Sequence, residues 1–460
     1  MHTPFPSLTP SLIRQLDQPG PRYTSYPTAP EWLDSFSESD YHTALQRFDS
    51  RTQSLSIYTH IPFCTQMCYY CGCNVTIRKR KSNVADEYLE YLAREFDQVS
   101  SHWCDRPTVT QIHWGGGTPN FLTIDEMTRL KTMFDTRCRI SPDAEVSIEV
   151  DPRSVDRDQI VALRALGFNR ISMGIQDFAP EVQSAIHRVQ SVSEVTALFA
   201  WIRHAGFKSI NVDLIYGLPN QNIANFTDTV TEIIRLKPDR VALYSYAHVP
   251  WLKSHQQLID VSALPDQELK LSIFIHARQL FLDAGYEAVG MDHFALPDDE
   301  LAIAFRSGAL YRNFMGYTIN PADDAIGLGV SSIGYIGGCF SQNVKDLKTY
   351  YSRLDSGQLP VDRGIELSRD DHIRRWVIQS IMCQFSLIYC NFSDTFGVDF
   401  FEYFPDVDLH LQRCESNGLV VRGDDGIRVT PLGRFFVRNV AMGFDAYLKS
   451  QESRRFSQTI

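Results

Sequence analysis

No run of 18 apolar residues occurs in this 460-residue chain, so no segment is suited to crossing a bilayer as a helix. The first residues, MHTPFPSLTPSLIRQ, lack the charged-then-apolar order of a secretory signal. Positive charge is also in short supply, with 44 Lys and Arg against 55 Asp and Glu and a net charge of -11. That balance excludes a general basic field for holding nucleic acid or anionic lipid. There is no internal repeat beyond a strand-helix period, and no low-complexity stretch. Disorder as the main theme is excluded by a composition that is 43% hydrophobic and 22% charged, enough apolar material to bury a core. The expectation is a cytoplasmic protein with neither a nucleic acid nor a membrane partner. In a reducing compartment, its ten cysteines point to metal or redox chemistry more than to structural disulfides. Four of them lie between 64 and 73; Cys104, Cys138, Cys339, Cys383, Cys390 and Cys414 are scattered and read as small buried hydrophobes.

What the chain does have is a regular alternation. Apolar runs suited to strands recur at SLSIYTHI (54 to 61), TVTQIHW (108 to 114), EVSIEV (145 to 150), RISMGI (170 to 175), SINVDLIY (209 to 216) and RVALYSY (240 to 246). Between them, 85 to 99, 158 to 168 and 192 to 207 have helical spacing. Strand-then-helix repetition favours an α/β fold with a parallel sheet. Six units curl into an open, partial (β/α)6 barrel, whose site is expected at the C-terminal rim of the strands. Residues 1–53 read as an N-terminal arm, 54–330 as the catalytic barrel and 331–460 as a mostly helical C-terminal domain. In the last of these, 418 to 444 has a hairpin around Gly423 to Gly426 followed by a helix, resembling a small winged-helix-like module. The acidic turn and overall charge favour a packing or lid role for it.

The cysteine cluster, Cys64-Thr-Gln-Met-Cys68-Tyr-Tyr-Cys71-Gly-Cys73, directly follows the first strand. Thiolates suit both zinc and iron-sulfur centres, so ligand softness alone does not choose. Zinc ribbons use two separated C-x2-C knuckles, and no second knuckle is present. Three ligands at 64, 68 and 71 would leave one iron of a cubane open to a chelating cofactor. Beyond the second strand, Gly115-Gly116-Gly117-Thr118 lets backbone approach a ligand closely, although such a run is often only a tight turn. Glu149 ends the third strand, where its carboxylate suits ribose hydroxyls or an ammonium group, or serves as a solvated cap. Asp213 lies within an apolar run, where a carboxylate must be paired or functional. Arg188 offers a fork of donors to a carboxylate, although a helical arginine usually faces solvent.

The C-x3-C-x2-C spacing, with an aromatic residue before its third cysteine, resembles the radical S-adenosylmethionine (SAM) superfamily. Over nearly its whole length the chain resembles one branch, the oxygen-independent coproporphyrinogen III oxidases, through GPRYTSYPTA (20 to 29), YTHIPFC, CGCN, HWGGGTP, SIEVDPR, GFNRISMGIQDF, NVDLIYGLP, YAHVP and GMDHFA. The resemblance implies a 4Fe-4S cluster on Cys64, Cys68 and Cys71. It implies a SAM molecule near Tyr58, Gly116, Glu149 and Ile333, and a second near Tyr70, Gly117, Thr118, Gln176, Arg188, Asp213 and Ala247. Catalytic roles are implied for Cys73, His60, Arg188 and Phe314. The implied reaction is oxidative decarboxylation of two propionates of coproporphyrinogen III to vinyl groups, giving protoporphyrinogen IX. It requires an external one-electron reductant such as flavodoxin or ferredoxin and an electron acceptor, and the family resemblance suggests a monomer.

Arg22, Arg188 and Arg312 are candidates by charge for the substrate propionates, whereas Arg78-Lys79-Arg80-Lys81 reads as a solvated face. Among His60, His113, His248 and His293, each fits a satisfied core histidine, with His60 the best placed for substrate or SAM. One departure stands out: the family segment reads RNFQGYTT, and here residues 312 to 319 read RNFMGYTI, placing Met315 where a hydrogen-bonding Gln is usual. It keeps open a related enzyme that opens or methylates the porphyrin ring. A non-catalytic haem-binding chaperone is the other alternative, disfavoured by the GPRYTSYPTA arm and by Cys73.

Overall fold

The computed structural model describes residues 15–16, 18–80 and 83–448. The extreme N-terminal residues, Lys81 of the basic run and the end of the C-terminal domain lie outside the described residues. The chain forms two compact units, one built from Trp32–Leu264 with Asn320–Glu366, the other from the remaining described residues, among them Pro265–Ile319.

The first unit carries the expected strand-helix alternation. Its strands β1 (Ser54–Ile61), β2 (Thr108–Gly116), β3 (Arg139–Val150), β4 (Arg170–Gln176), β5 (Ser209–Tyr216) and β6 (Arg240–Ser245) pair in that order, all parallel. On the other side of β1 the sheet continues through β7 (Asp324–Leu328), also parallel, and then through antiparallel β8 (Ile333–Ile336), β9 (Cys339–Asn343) and β10 (Val361–Glu366). The result is the expected open, partial barrel, extended by a parallel strand that the apolar pattern does not announce.

Period-two alternation decides what each face does. Ile57, Ile112, Trp114, Ile148, Ile171, Met173, Val212 and Leu214 are buried, each such side chain contributing about 2–3 kcal/mol by leaving water. The alternate positions are polar: Tyr58 and His60, His113, Ser147 and Glu149, Ser172, Asn211 and Asp213. Register aligns them, with Tyr58 opposite His113, His113 opposite Ser147, and Glu149 opposite Ser172. A parallel sheet with one apolar and one polar face has a packed side and a chemical side.

The connecting helices are α1 (Val84–Ser100), α2 (Ile124–Arg137), α3 (Arg157–Ala165), α4 (Val192–Ala205) and α5 (Ile223–Leu236). Thr123, Ser191 and Asn222 close capping boxes at the starts of α2, α4 and α5, satisfying amides that a helix start leaves bare. Glu95 of α1 is buried and accepts from Gly329 N (2.8 Å), Asn343 Nδ2 (2.6 Å) and the Tyr350 hydroxyl (2.6 Å). The Tyr88 hydroxyl donates to His60 O at 2.7 Å and accepts from Val330 N at 3.0 Å. Together these bonds tie the turn before Ile333 to β1.

The second unit holds the helix Gln267–Asp283, an antiparallel hairpin of Glu287–Val289 with His293–Ala295, and a second hairpin, Tyr311–Asn313 with Gly316–Thr318, whose tip carries Phe314 and Met315. Arg369–Gln379 is helical, and the three-stranded sheet Ser386–Ile388, Gly426–Val429, Val420–Gly423 contains the expected hairpin at Gly423 and Gly426. Phe392, Phe400, Phe404, Phe436 and Phe444 form its centre. The arm segment GPRYTSYPTA is anchored here: Arg438 Nε donates to Pro21 O (2.9 Å), and Tyr23 donates to Asp445 (2.9 Å). Of the scattered cysteines, Cys138, Cys339, Cys383 and Cys414 are buried as expected, but Cys104 and Cys390 are exposed. Cys104 lies in a loop beside Asp49 and Ser50, and Cys390 opens the helix Tyr389–Phe396, positions where no core surrounds the sulfur.

Candidate functional site

Strand β1 ends at Ile61, and the cysteine loop begins three residues later. Phe63–Cys64 pairs in parallel with Thr76–Ile77, which closes the base of the loop and crowds its four thiols. The loop is held by its carbonyls. Gln256 Nε2 donates to Tyr70 O (2.9 Å), Lys253 Nζ donates to Cys73 O (2.9 Å), and His255 Nε2 lies 2.7 Å from Cys71 O. On the other flank, His187 Nδ1 lies 2.8 Å from Met67 O, and Tyr69 N donates to Ile186 O at 3.0 Å.

The thiols therefore keep their sulfurs for other partners. Cys64 Sγ lies 3.1 Å from Thr118 Oγ1, while Cys68 Sγ faces Arg153 Nη2 at 3.5 Å and Arg188 Nη1 at 3.6 Å. A hydrogen bond from Cys73 lowers the Cys71 thiol against the opposing effect of burial, and the same bond raises Cys73. Burial pushes Cys64 up to about 12. Among the described residues no three His, Cys, Asp or Glu side chains converge on a single ion. A tetrahedral zinc site needs such convergence, whereas a cubane takes each thiolate on a different iron. This donor set fits an iron-sulfur cluster, with Cys64, Cys68 and Cys71 as the residues to hold it.

Facing the loop on the polar side of the sheet is a linked group from β1, β2 and β3. The Tyr58 hydroxyl is 3.0 Å from His60 Nδ1, His60 Nε2 is 2.9 Å from Asn74 O, and the Tyr58 ring stacks on His113 at 5.9 Å. Burial lowers the His60 imidazole, favouring its neutral form. His113 Nε2 lies 3.3 Å from Glu149 Oε1, and Gly116 N donates to Glu149 Oε2 at 3.2 Å. Desolvation alone would raise the Glu149 carboxyl; the His113 hydrogen bond and the Gly116 amide bring it below the ordinary value.

The glycine run is required by space. Gly116 has φ +112°, and a Cβ there would stand 2.5 Å from the His60 ring; one on Gly117 would stand 2.7 Å from the Pro62 carbonyl. Both positions thus keep bare backbone where His60 and Pro62 leave no room for a side chain. Ile333 opens β8, with its carbonyl against Gly327, the β7 residue paired with Tyr58.

A second polar group centres on β4 and β5. Asp151 accepts from Arg153 Nη2 at 2.6 Å and lies 3.3 Å from Arg188 Nη2, which also donates to Gly174 O at 2.5 Å. Burial would raise Asp151, but Arg188 and Arg153 bring it down to about 2. Arg188 is not helical: it follows the short helix Pro180–Ala185, and it is buried rather than facing solvent. Gln176 ends β4 with φ +69°, after a bulge that breaks the register. Its Oε1 and the Nε of Arg188 are buried without hydrogen-bond partners, a configuration that calls for a polar ligand. Asp213 is paired, accepting from Asn211 Nδ2 at 2.8 Å and from Ser172 Oγ at 3.4 Å. Ala247 lies between Tyr246 and His248, whose hydroxyl and Nδ1 are 2.9 Å apart.

Every expected site residue except Phe314 thus belongs to the unit carrying the parallel sheet. Phe314 and the candidate cations Arg22 and Arg312 are in the other unit, where Arg312 donates to Arg22 O and lies over the Tyr317 ring at 5.2 Å. Arg78 and Lys79 are exposed, while Arg80 donates to Asn120 O at 2.8 Å. Arg153, His187, Lys253, His255 and Gln256 are site residues that sequence reading passed over; only Arg153 carried a signal, through its place in SIEVDPR.

Residues 58–233 match the radical SAM superfamily, and residues 367–436 match the HemN C-terminal domain. The chain is 44% identical to the oxygen-independent coproporphyrinogen III oxidase of Synechocystis, covering 100% of both chains. It is 43% identical to that of Escherichia coli K12, covering 98% of each. A solved structure, coproporphyrinogen III oxidase (HemN) from Escherichia coli, described as a radical SAM enzyme, is similar with a TM-score of 0.89 at 43% identity, over 93% of this chain and 97% of that one. No described helix is long and apolar enough to cross a membrane.

Proposed function

The chain belongs to the family of oxygen-independent coproporphyrinogen III oxidases, radical SAM enzymes, and from that premise we propose that it converts two propionates of coproporphyrinogen III to vinyl groups, giving protoporphyrinogen IX for haem synthesis. The observation that carries this reading is the backbone-anchored loop of Cys64, Cys68 and Cys71 set against the glycine cradle of β2. When bound, the 4Fe-4S cluster and SAM supply a 5′-deoxyadenosyl radical, able to take an unactivated hydrogen that no side-chain base removes.

The chain's own residues position and exclude. Glu149, held ionised by His113 and Gly116, suits the ribose or ammonium groups of SAM. Neutral His60, fixed between Tyr58 and Asn74 O, presents no charge that would need a counter-ion. Ile333 and Gly116 shape the walls around the same ligand. Arg188 and Arg153 place positive charge beside Cys68.

A second SAM molecule is part of the proposal, bounded by Tyr70, Gly117, Thr118, Gln176, Arg188, Asp213 and Ala247; the buried, unpartnered Gln176 Oε1 and Arg188 Nε support it. Cys73 and Phe314 complete the proposed catalytic set, Cys73 through its hydrogen bond to Cys71. Loss of one hydrogen atom, CO2 and one electron from each propionate balances the reaction. It therefore needs an external one-electron reductant, such as flavodoxin or ferredoxin, and a separate electron acceptor. The enzyme is proposed to work as a cytoplasmic monomer.

The test is anaerobic incubation of reconstituted protein with coproporphyrinogen III, SAM and a reductant. Divinyl product, CO2 and 5′-deoxyadenosine are expected together. SAM cleavage without CO2 release would overturn the assigned reaction while leaving the radical chemistry intact.

A further inference from the structure

The second unit contains a small cleft lined by Phe274, Arg278, Met291, His293, Arg434 and Phe435, among others. Three elements build it. Phe274 and Arg278 share one face of the helix Gln267–Asp283, four residues apart; Met291 and His293 come from the adjoining hairpin; Arg434 and Phe435 come from the turn Gly433–Phe436. The ring of Phe435 meets Phe274 edge-on at 5.8 Å, and the Arg278 guanidinium lies over the same ring at 5.5 Å. Arg434 lies over Phe385 at 4.7 Å and Phe305 at 5.8 Å.

We propose that this cleft is an anion site, taking a carboxylate or phosphate group between the guanidiniums of Arg278 and Arg434. The Nε of Arg434 is buried and has no hydrogen-bond partner, so a strong donor is left with its bond unmade. The two guanidiniums share one aromatic-walled space, where an oxyanion could bridge them. Burial, and then the neighbouring Arg434, push Arg278 down to about 10; burial also lowers Arg434. An anion reverses both effects, since each guanidinium supplies a planar fork that matches two oxygens. His293 stands at the same wall with its Nδ1 2.7 Å from Asp292 Oδ1. The site neither uses nor requires the cysteine loop.

The full-length protein is titrated, in buffer of matched chloride content, with inorganic phosphate and separately with benzoate, and followed by calorimetry and melting temperature. Saturable binding of one or both with a midpoint below about 1 mM is expected. Preference for phosphate identifies a phosphoryl ligand, and preference for benzoate a carboxylate with an apolar body. Arg434→Gln and Arg278→Gln should each weaken binding by about tenfold or more. Arg434→Lys keeps the charge but loses the fork and should weaken it too, which preserves the test if the Gln variants fold poorly. No saturable binding of either anion, or undiminished affinity in the folded variants, overturns the assignment.

Discussion

The guanidinium of Arg188 stands 3.3 Å from the Asp151 carboxylate and 3.6 Å from Cys68 Sγ, so one buried cation is shared between an ion pair and a thiol of the cysteine loop. Asp151, at about 2 in the fold, lies below the ordinary unfolded value of about 3.9. Its contribution is therefore complete above about pH 5 and is lost as the pH falls toward 2, with roughly 2–3 kcal/mol at stake. Asp151→Asn should lower the melting temperature at pH 7 and flatten its acid limb below about pH 5. An acid limb identical to that of the parent would show that the pair is not coupled to folding.

The thiols should divide by role. Replacing Cys64, Cys68 or Cys71 with Ser should abolish or sharply reduce the iron content and visible absorbance of anaerobically reconstituted protein. Cys73→Ser should keep both but lose turnover. Iron analysis of the four variants side by side decides this, and loss of iron in Cys73→Ser would make that residue a ligand.

Gly116→Ala places a methyl group 2.5 Å from the His60 ring at φ +112°. The strain should cost about 1–3 kcal/mol and displace the Tyr58–His60 pair. Equilibrium dialysis should record weaker SAM binding with cluster content unchanged. Parental affinity for SAM would show that the ring can move aside freely.

Glu95 behaves oppositely to Asp151 with pH. Burial raises its carboxyl to about 7 despite bonds from Tyr350, Gly329 and Asn343. The folded value exceeds the unfolded one, so the fold is most favoured below about pH 4.5 and loses up to roughly 3 kcal/mol as the pH rises through 7. Glu95→Gln should remove that slope. Melting curves between pH 5 and 8 test it, and a slope that survives the substitution must come from other groups.

The architecture was legible where the pattern was local. SLSIYTHI and SINVDLIY coincide with β1 and β5 because alternating side chains mark a sheet with one packed face. Strand β7, Asp324–Leu328, escaped notice: five residues that include a glycine make a weak signal, and its partner β1 lies far away in the sequence. In the site, the cysteines and glycines announced themselves by residue type. Lys253, His255 and Gln256 did not, because they recognise carbonyls, and every residue has one. Arg188 could be named, but its burial depends on Asp151 and Gly174, which only folding brings alongside.

The grip of Lys253, His255 and Gln256 on main-chain oxygens separates scaffolding from chelation. Because the shape of the loop is fixed without drawing on sulfur, oxidative loss of iron need not erase the template. The same chain should then accept metal and sulfide again after exposure to air, which would make repair in place an alternative to synthesis of a new enzyme.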